Sequence, residues 1–213
     1  TVSCVVNVKA EGLRQRRGNE GGAQPSADKS ASYTITYKIA RDGSIDMSVT
    51  FDSERARDFS RLGLQTLLVP GLENVEWYGR GPIENYPDRK DAAFIGRYNT
   101  TVSAMEEEYI RPQSMGERCD NRWLQLTDKA GRGICIEGIE GTFDFSAQHY
   151  TDEDLWKTRF KHQLPGVRRS ETVLHLDAAM RGIGNASCGP GPLPQYEIAR
   201  GPVTMKVKIS KAK

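Results

Sequence analysis

Between positions 33 and 51 apolar and polar side chains alternate with period two on either side of an Asp-Gly pair, and this pattern constrains the fold more than any other feature. Tyr33, Ile35, Tyr37 and Ile39 stand against Thr34, Thr36 and Lys38, and Ile45, Met47, Val49 and Phe51 against Ser44, Asp46, Ser48 and Thr50. Such alternation puts one face of each segment in a core and leaves the other in water, the signature of two half-buried strands. Asp42-Gly43 supplies the positive backbone angles of a tight turn, so the pair is expected to be an antiparallel hairpin.

Further strand-like runs lie at Leu64 to Val69, Val75 to Tyr78, Phe94 to Tyr98, Trp123 to Thr127, Ile134 to Glu137, Thr142 to Ala147, Thr172 to Leu176 and Val203 to Ile209, with Gly or Pro in nearly every gap. Many short strands with little helical periodicity predict an all-β fold of antiparallel sheets packed face to face. One helix is expected, with Thr151 as its N-cap, Asp152, Glu153 and Asp154 in a first turn that favours acidic groups, and an end near His162. Residues 10 to 32, rich in Arg, Gly and Ser, read as an exposed loop, and the whole of 1–213 as one domain.

Thirty Lys plus Arg against twenty-eight Asp plus Glu leave a net charge of +2, with no sustained field for nucleic acid or an anionic membrane. The chain begins at Thr1, and no basic flank leads into a long apolar run, so neither a signal peptide nor a membrane span is expected and the sequence reads as an excised or processed fragment. Cys4, Cys119, Cys135 and Cys188 show no CxxC spacing and His149, His162 and His175 are dispersed, which gives no zinc site or disulfide framework. Gly182-Ile183-Gly184 lacks the third glycine of a dinucleotide loop, and neither G-x-S-x-G nor H-E-x-x-H occurs. No carboxylate pair stands out as having a raised pKa, so the motifs by themselves do not support catalysis.

The run from Val75 to Arg89, VEWYGRGPIENYPDR, crowds aromatic rings, a carboxamide, carboxylates and guanidinium groups into one strand-to-loop passage. Aromatic faces stack on the apolar face of a pyranose, and planar polar groups exchange hydrogen bonds with adjacent hydroxyls, so the mixture suits sugar recognition. The alternative is structural, with Glu84, Asp88 and Arg89 forming a buried ion-pair network.

This run resembles the opening signature of the C-terminal, small-chain domain of family 2 β-galactosidases. Three further blocks follow in order. Tyr109-Ile110-Arg111-Pro112-Gln113 with Gly116, Arg118 and Arg122-Trp123 is similar to the family's second block. Phe143 to Ala147 with Tyr150, Asp154-Leu155 and His162 is similar to its strand and helix segment, and Leu176-Asp177 with Gly182 to Gly184 and Ser187 to Pro190 to its closing block. The resemblance spans essentially residues 33 to 209.

It implies an antiparallel super-sandwich similar to galactose mutarotases. It also implies a parent enzyme that hydrolyses terminal β-galactosides with retention, using two glutamates on a separate TIM-barrel domain. The present chain would carry no catalytic residue, need no cofactor of its own, pack on that barrel and form part of the active-site wall. A divalent cation would sit on another domain, and the parent would be a homo-oligomer. The residues marked as carbohydrate-facing are Trp77, Glu84, Asn85, Tyr86, Asp88, Arg89, Arg118, His149, Ser187 and Cys188. Three positions depart from the family: Ser114 and Met115 replace a frequent Glu and Asn, and Cys188 replaces a Trp that serves as a sugar platform. The competing reading is an independent mutarotase-like carbohydrate-binding module; mutarotase catalysis would need an acid and a base, and His149, the only histidine near a matched strand, has no motif-level partner.

Overall fold

A computed structural model describes residues 2–9, 30–52, 59–185 and 189–212. In chain order the strands are β1 (Val2–Lys9), β2 (Ser30–Ile39), β3 (Ile45–Asp52), β4 (Arg61–Leu68), β5 (Asn74–Gly81), β6 (Phe94–Thr101), β7 (Arg118–Asn121), β8 (Trp123–Thr127), β9 (Gly133–Gly138), β10 (Phe143–Gln148), β11 (Thr172–Met180) and β12 (Val203–Lys211). They form two sheets. The larger runs β1-β2-β3-β12-β9-β8-β5-β6, the smaller β4-β11-β10-β7, and the recorded pairings are antiparallel.

The hairpin expected from the alternation is β2 with β3, in a register that sets Tyr33 opposite Phe51 and Ile39 opposite Ile45. Gly43 takes φ +83°, and the Asp42 carboxylate accepts the Ser44 amide at 2.9 Å, so both turn residues are used as their chemistry suggests. Inward-facing residues of both sheets form one core. Val49, Val75, Trp77, Leu124 and Val207 from the larger sheet meet Phe143, Phe145, Leu174 and Leu176 from the smaller.

Two expectations are corrected. Residues 30–32 belong to β2 rather than to a loop, while residues 10–29 lie outside the described residues. The helix α1 covers Asp152–Lys157 and stops short of His162, because the Thr158 hydroxyl takes the Asp154 carbonyl at 2.7 Å and the backbone there turns extended. A 3₁₀ segment, Lys161–Val167, follows. The start of α1 is as expected: the Thr151 hydroxyl accepts the Asp154 amide and the Asp154 carboxylate accepts the Thr151 amide. β7 was not anticipated, since Arg118-Cys119-Asp120-Asn121 has no apolar alternation. No helix among the described residues is long and apolar enough to cross a membrane.

Candidate functional site

The polar turn after β5 is organised by one buried carboxylate. Glu84 accepts from the Arg89 guanidinium and the Tyr109 hydroxyl through Oε1, and from the Gly116 amide at 2.9 Å and the Tyr86 hydroxyl at 3.3 Å through Oε2. Burial and the neighbouring carboxylate push Tyr109 up to about 12, so it stays a donor. Asn85 is fully buried and stitches the turn to β7: its Oδ1 accepts the Cys119 amide at 2.8 Å and its backbone N–H donates to the Glu117 carbonyl at 2.9 Å. Tyr86 is buried beneath the Arg89 guanidinium, which lies 5.5 Å from its ring centroid.

Beside this hub lies a cleft of about 570 Å³, lined by Glu84, Asp88, Arg89, Lys90, Asp91, Glu107 and Tyr109 on its polar sides and by Ile83, Ala92 and Ala93 on its apolar one. Glu84 and Arg89 form the expected ion pair, but Asp88 is not part of it. The Asp88 carboxylate instead accepts the Ile183 and Gly184 amides at 3.0 and 2.7 Å. The Arg89 side chain remains 50% exposed and faces the opening.

The other candidates are placed elsewhere. Trp77 is 1% exposed because β5 lies inside the larger sheet: its ring packs against Phe145 edge-on and Tyr98, and Arg118 covers it at 5.5 Å, so both faces serve the core rather than a sugar. Arg118 is buried and donates to the Gly116 and Glu117 carbonyls, each at 3.1 Å. Both ring nitrogens of His149 are taken at 2.9 Å, Nδ1 by the Glu171 carbonyl and Nε2 by the Glu73 carboxylate. Ser187 and Cys188 lie outside the described residues. Ser114 does have a polar role, accepting from Arg61 at 3.3 Å, and Met115 packs with Tyr150 and Leu155.

A second polar group, absent from the sequence-based candidates, occupies the smaller sheet. Arg61 of β4 reaches Glu117 at 3.1 Å, Asp177 of β11 at 3.3 Å and Asp152 of α1 at 3.5 Å, and its Nη1 contacts His175 Nδ1. Burial, then the charge of Asp177, holds Glu117 well above the carboxylate range, and burial lifts Asp177 to about 6 against the pull of Arg61. If both were ionised, Glu117 Oε1 and both Asp177 oxygens would be buried with no hydrogen bond. A proton kept on Glu117 and donated to Asp177 pairs Glu117 Oε1 with one Asp177 oxygen, and Arg61 stands 3.3 Å from Asp177 Oδ2. His175 is driven down to about 4 by burial and then by Arg61; a neutral ring donating from Nε2 to Gln65 Oε1 at 3.0 Å leaves Nδ1 to accept from Ser146 at 3.2 Å. The expectation that no carboxylate pair has a raised pKa is thereby corrected. No group of residues suited to hold a metal occurs among the described residues.

Asp144 on β10 adds a pH dependence. Burial first, then the charges of Asp177 and Asp120, raise it to about 7, opposed by the Asp120 amide and by Lys90. A raised acid favours folding while protonated, so its contribution is complete below the ordinary carboxylate range and is lost as pH climbs through about 7. Asp144→Asn mimics the protonated form and can still accept the Asp120 amide. Between pH 6 and 8 the wild type should lose about 1.4 kcal/mol relative to this variant, read from urea unfolding at several pH values. Parallel curves would show that Asp144 does not titrate there.

A family model described as "Beta galactosidase small chain" matches residues 5–209. A β-galactosidase of Vibrio cholerae is 38% identical over 184 residues, covering 82% of this chain and 17% of the relative. One from Staphylococcus xylosus is 34% identical over 168 residues, 78% of this chain and 16% of the relative. One from Arthrobacter sp. is 29% identical over 158 residues, 72% of this chain and 15% of the relative. The chain thus spans about a sixth of the length of these curated relatives.

Proposed function

The chain belongs to the β-galactosidase small-chain family, and from that premise we propose that it is a non-catalytic, carbohydrate-facing part of a longer polypeptide that hydrolyses terminal β-galactosides. In this reading it packs on a separate TIM barrel, whose two glutamates act as acid/base and nucleophile, and contributes a wall to the active site. The observation that carries the reading is the open cleft beside the Glu84 hub. Its half-exposed guanidinium is held in place by a buried carboxylate, Lys90, Asp91 and Glu107 stand around it, and an apolar strip of Ile83, Ala92 and Ala93 completes it. That pairing of fixed polar groups with an apolar face matches the two sides of a pyranose.

Arg89→Ala in the full polypeptide tests this. Arg89 is one of four donors to Glu84 and half exposed, so its loss should cost stability no more than about 1 kcal/mol, the range of exposed pairs, and not the 2 to 5 kcal/mol of a buried one. If it meets the sugar, the Michaelis constant for a chromogenic galactoside should rise about tenfold, the worth of one charged hydrogen bond. An unchanged Michaelis constant with normal stability would remove the cleft from the active-site wall.

A further inference from the structure

We propose that Asp88 is a positioning residue: its carboxylate pins the turn that follows β11 against the cleft and thereby sets galactoside affinity. The proposal rests on the function given above. Asp88 lines the cleft, and its two oxygens receive two successive amides, Ile183 at 3.0 Å and Gly184 at 2.7 Å, from a segment 95 and 96 positions further along the chain. Two neighbouring N–H groups converge on one anion only when the backbone bends to aim them together, and here the bend comes from Gly184 at φ +55°, a conformation that favours glycine.

The turn is built to receive that carboxylate. A Cβ on Gly182 would stand 2.7 Å from Asp88 Cγ and 2.9 Å from Tyr196 Cβ, so the backbone passes where any side chain would separate the two. A Cβ on Gly184 would meet the Pro192 nitrogen at 2.5 Å. The Gly182 amide is held by the Tyr196 carbonyl at 2.8 Å, and the Asn185 amide by the Pro190 carbonyl at 2.9 Å. Those bonds shape the turn internally and fix it to the segment before β12. The Asp88 bonds are the ones that tie it to the cleft, and they hold the partly exposed Ile183 beside that anchor. Each Asp88 oxygen is engaged by an amide of the turn, so Asp88 acts through the turn.

Asp88→Asn and Gly182→Ala attack the same contact from opposite sides. The amide keeps one acceptor and sets an NH₂ against the other N–H, and the added methyl drives the turn off the carboxylate. In the full polypeptide each should raise the Michaelis constant for a chromogenic galactoside about fivefold to tenfold while kcat changes less than about twofold, since partial loss of a charged hydrogen bond is worth that much. Amide exchange over residues 181–185 should quicken with the melting temperature nearly unchanged. Faster exchange with an unchanged Michaelis constant overturns the positioning role, and unchanged exchange overturns the anchor. Melting of the whole protein in both variants makes Asp88 a stability residue and overturns the proposal as well. Removing residues 1–213 from the same polypeptide separates the two levels: if turnover survives that deletion, the proposed function falls and this inference with it, whereas lost turnover with silent Asp88→Asn defeats only this one.

Discussion

Replacing Arg61 with methionine is expected to lower the stability of the chain by about 3–5 kcal/mol at pH 8, because it strands two buried acids. The Arg61 side chain is 14% exposed and the Glu117 and Asp177 side chains 1% and 0%. Methionine keeps most of the apolar stem, so the loss reports charge more than volume. Deprived of their cation, the two carboxyls respond by holding protons more tightly. Both already have raised folded-state values, so their contribution is present below the ordinary carboxylate range and lost as pH rises, for Asp177 through about 6. The cost of Arg61→Met should therefore shrink towards pH 5. Urea unfolding at the two pH values decides the matter, and a pH-independent loss under about 1 kcal/mol would place the pair in the class of surface bridges.

Elements with one face in the core and one in water were legible because their period of two records that asymmetry directly. The β2–β3 hairpin is the example, its turn marked by Asp42-Gly43. β7 failed because it is four residues long and polar but for the buried Cys119, and is held largely by the hydrogen bonds of Asn85 and Asn121. In β11 the strand is where the run from Thr172 to Leu176 put it, but alternation does not describe its burial. Alternation sends Leu174 and Leu176 inward and leaves His175 and Asp177 for solvent, yet all four are buried. What covers the polar pair comes from positions 61, 117 and 152, so no local pattern announces it.

The candidate site was legible as a place more than as a set of roles. Glu84, Asp88 and Arg89 do gather at one turn, where Tyr86 and Arg89 close a small bridge. That bend sends Arg89 back over Glu84, while Asp88 reaches out to Ile183 and Gly184, a division that spacing alone cannot encode. Trp77 has the composition of a sugar platform, but a neighbour on each side and a second sheet beyond leave its ring no solvent face.

Glu84→Ala should be the most damaging change in that turn, at about 3–5 kcal/mol, because one acceptor serves four donors. Its removal leaves the buried Tyr86 hydroxyl and the Gly116 amide without their partner, and each stranded donor costs about 1–3 kcal/mol. Glu84→Gln preserves the shape but turns an NH₂ towards one pair of donors, so it should recover only part of the loss. Arg89→Ala leaves three of the four bonds in place. In a double-mutant cycle the Arg89 change should then cost less once Glu84 is already alanine, what remains being its contact over the Tyr86 ring. Equal losses from the two single replacements would mean that the ion pair holds the turn; a large loss for Glu84 beside a small one for Arg89 means that the acceptor does, and the guanidinium stays available to the cleft.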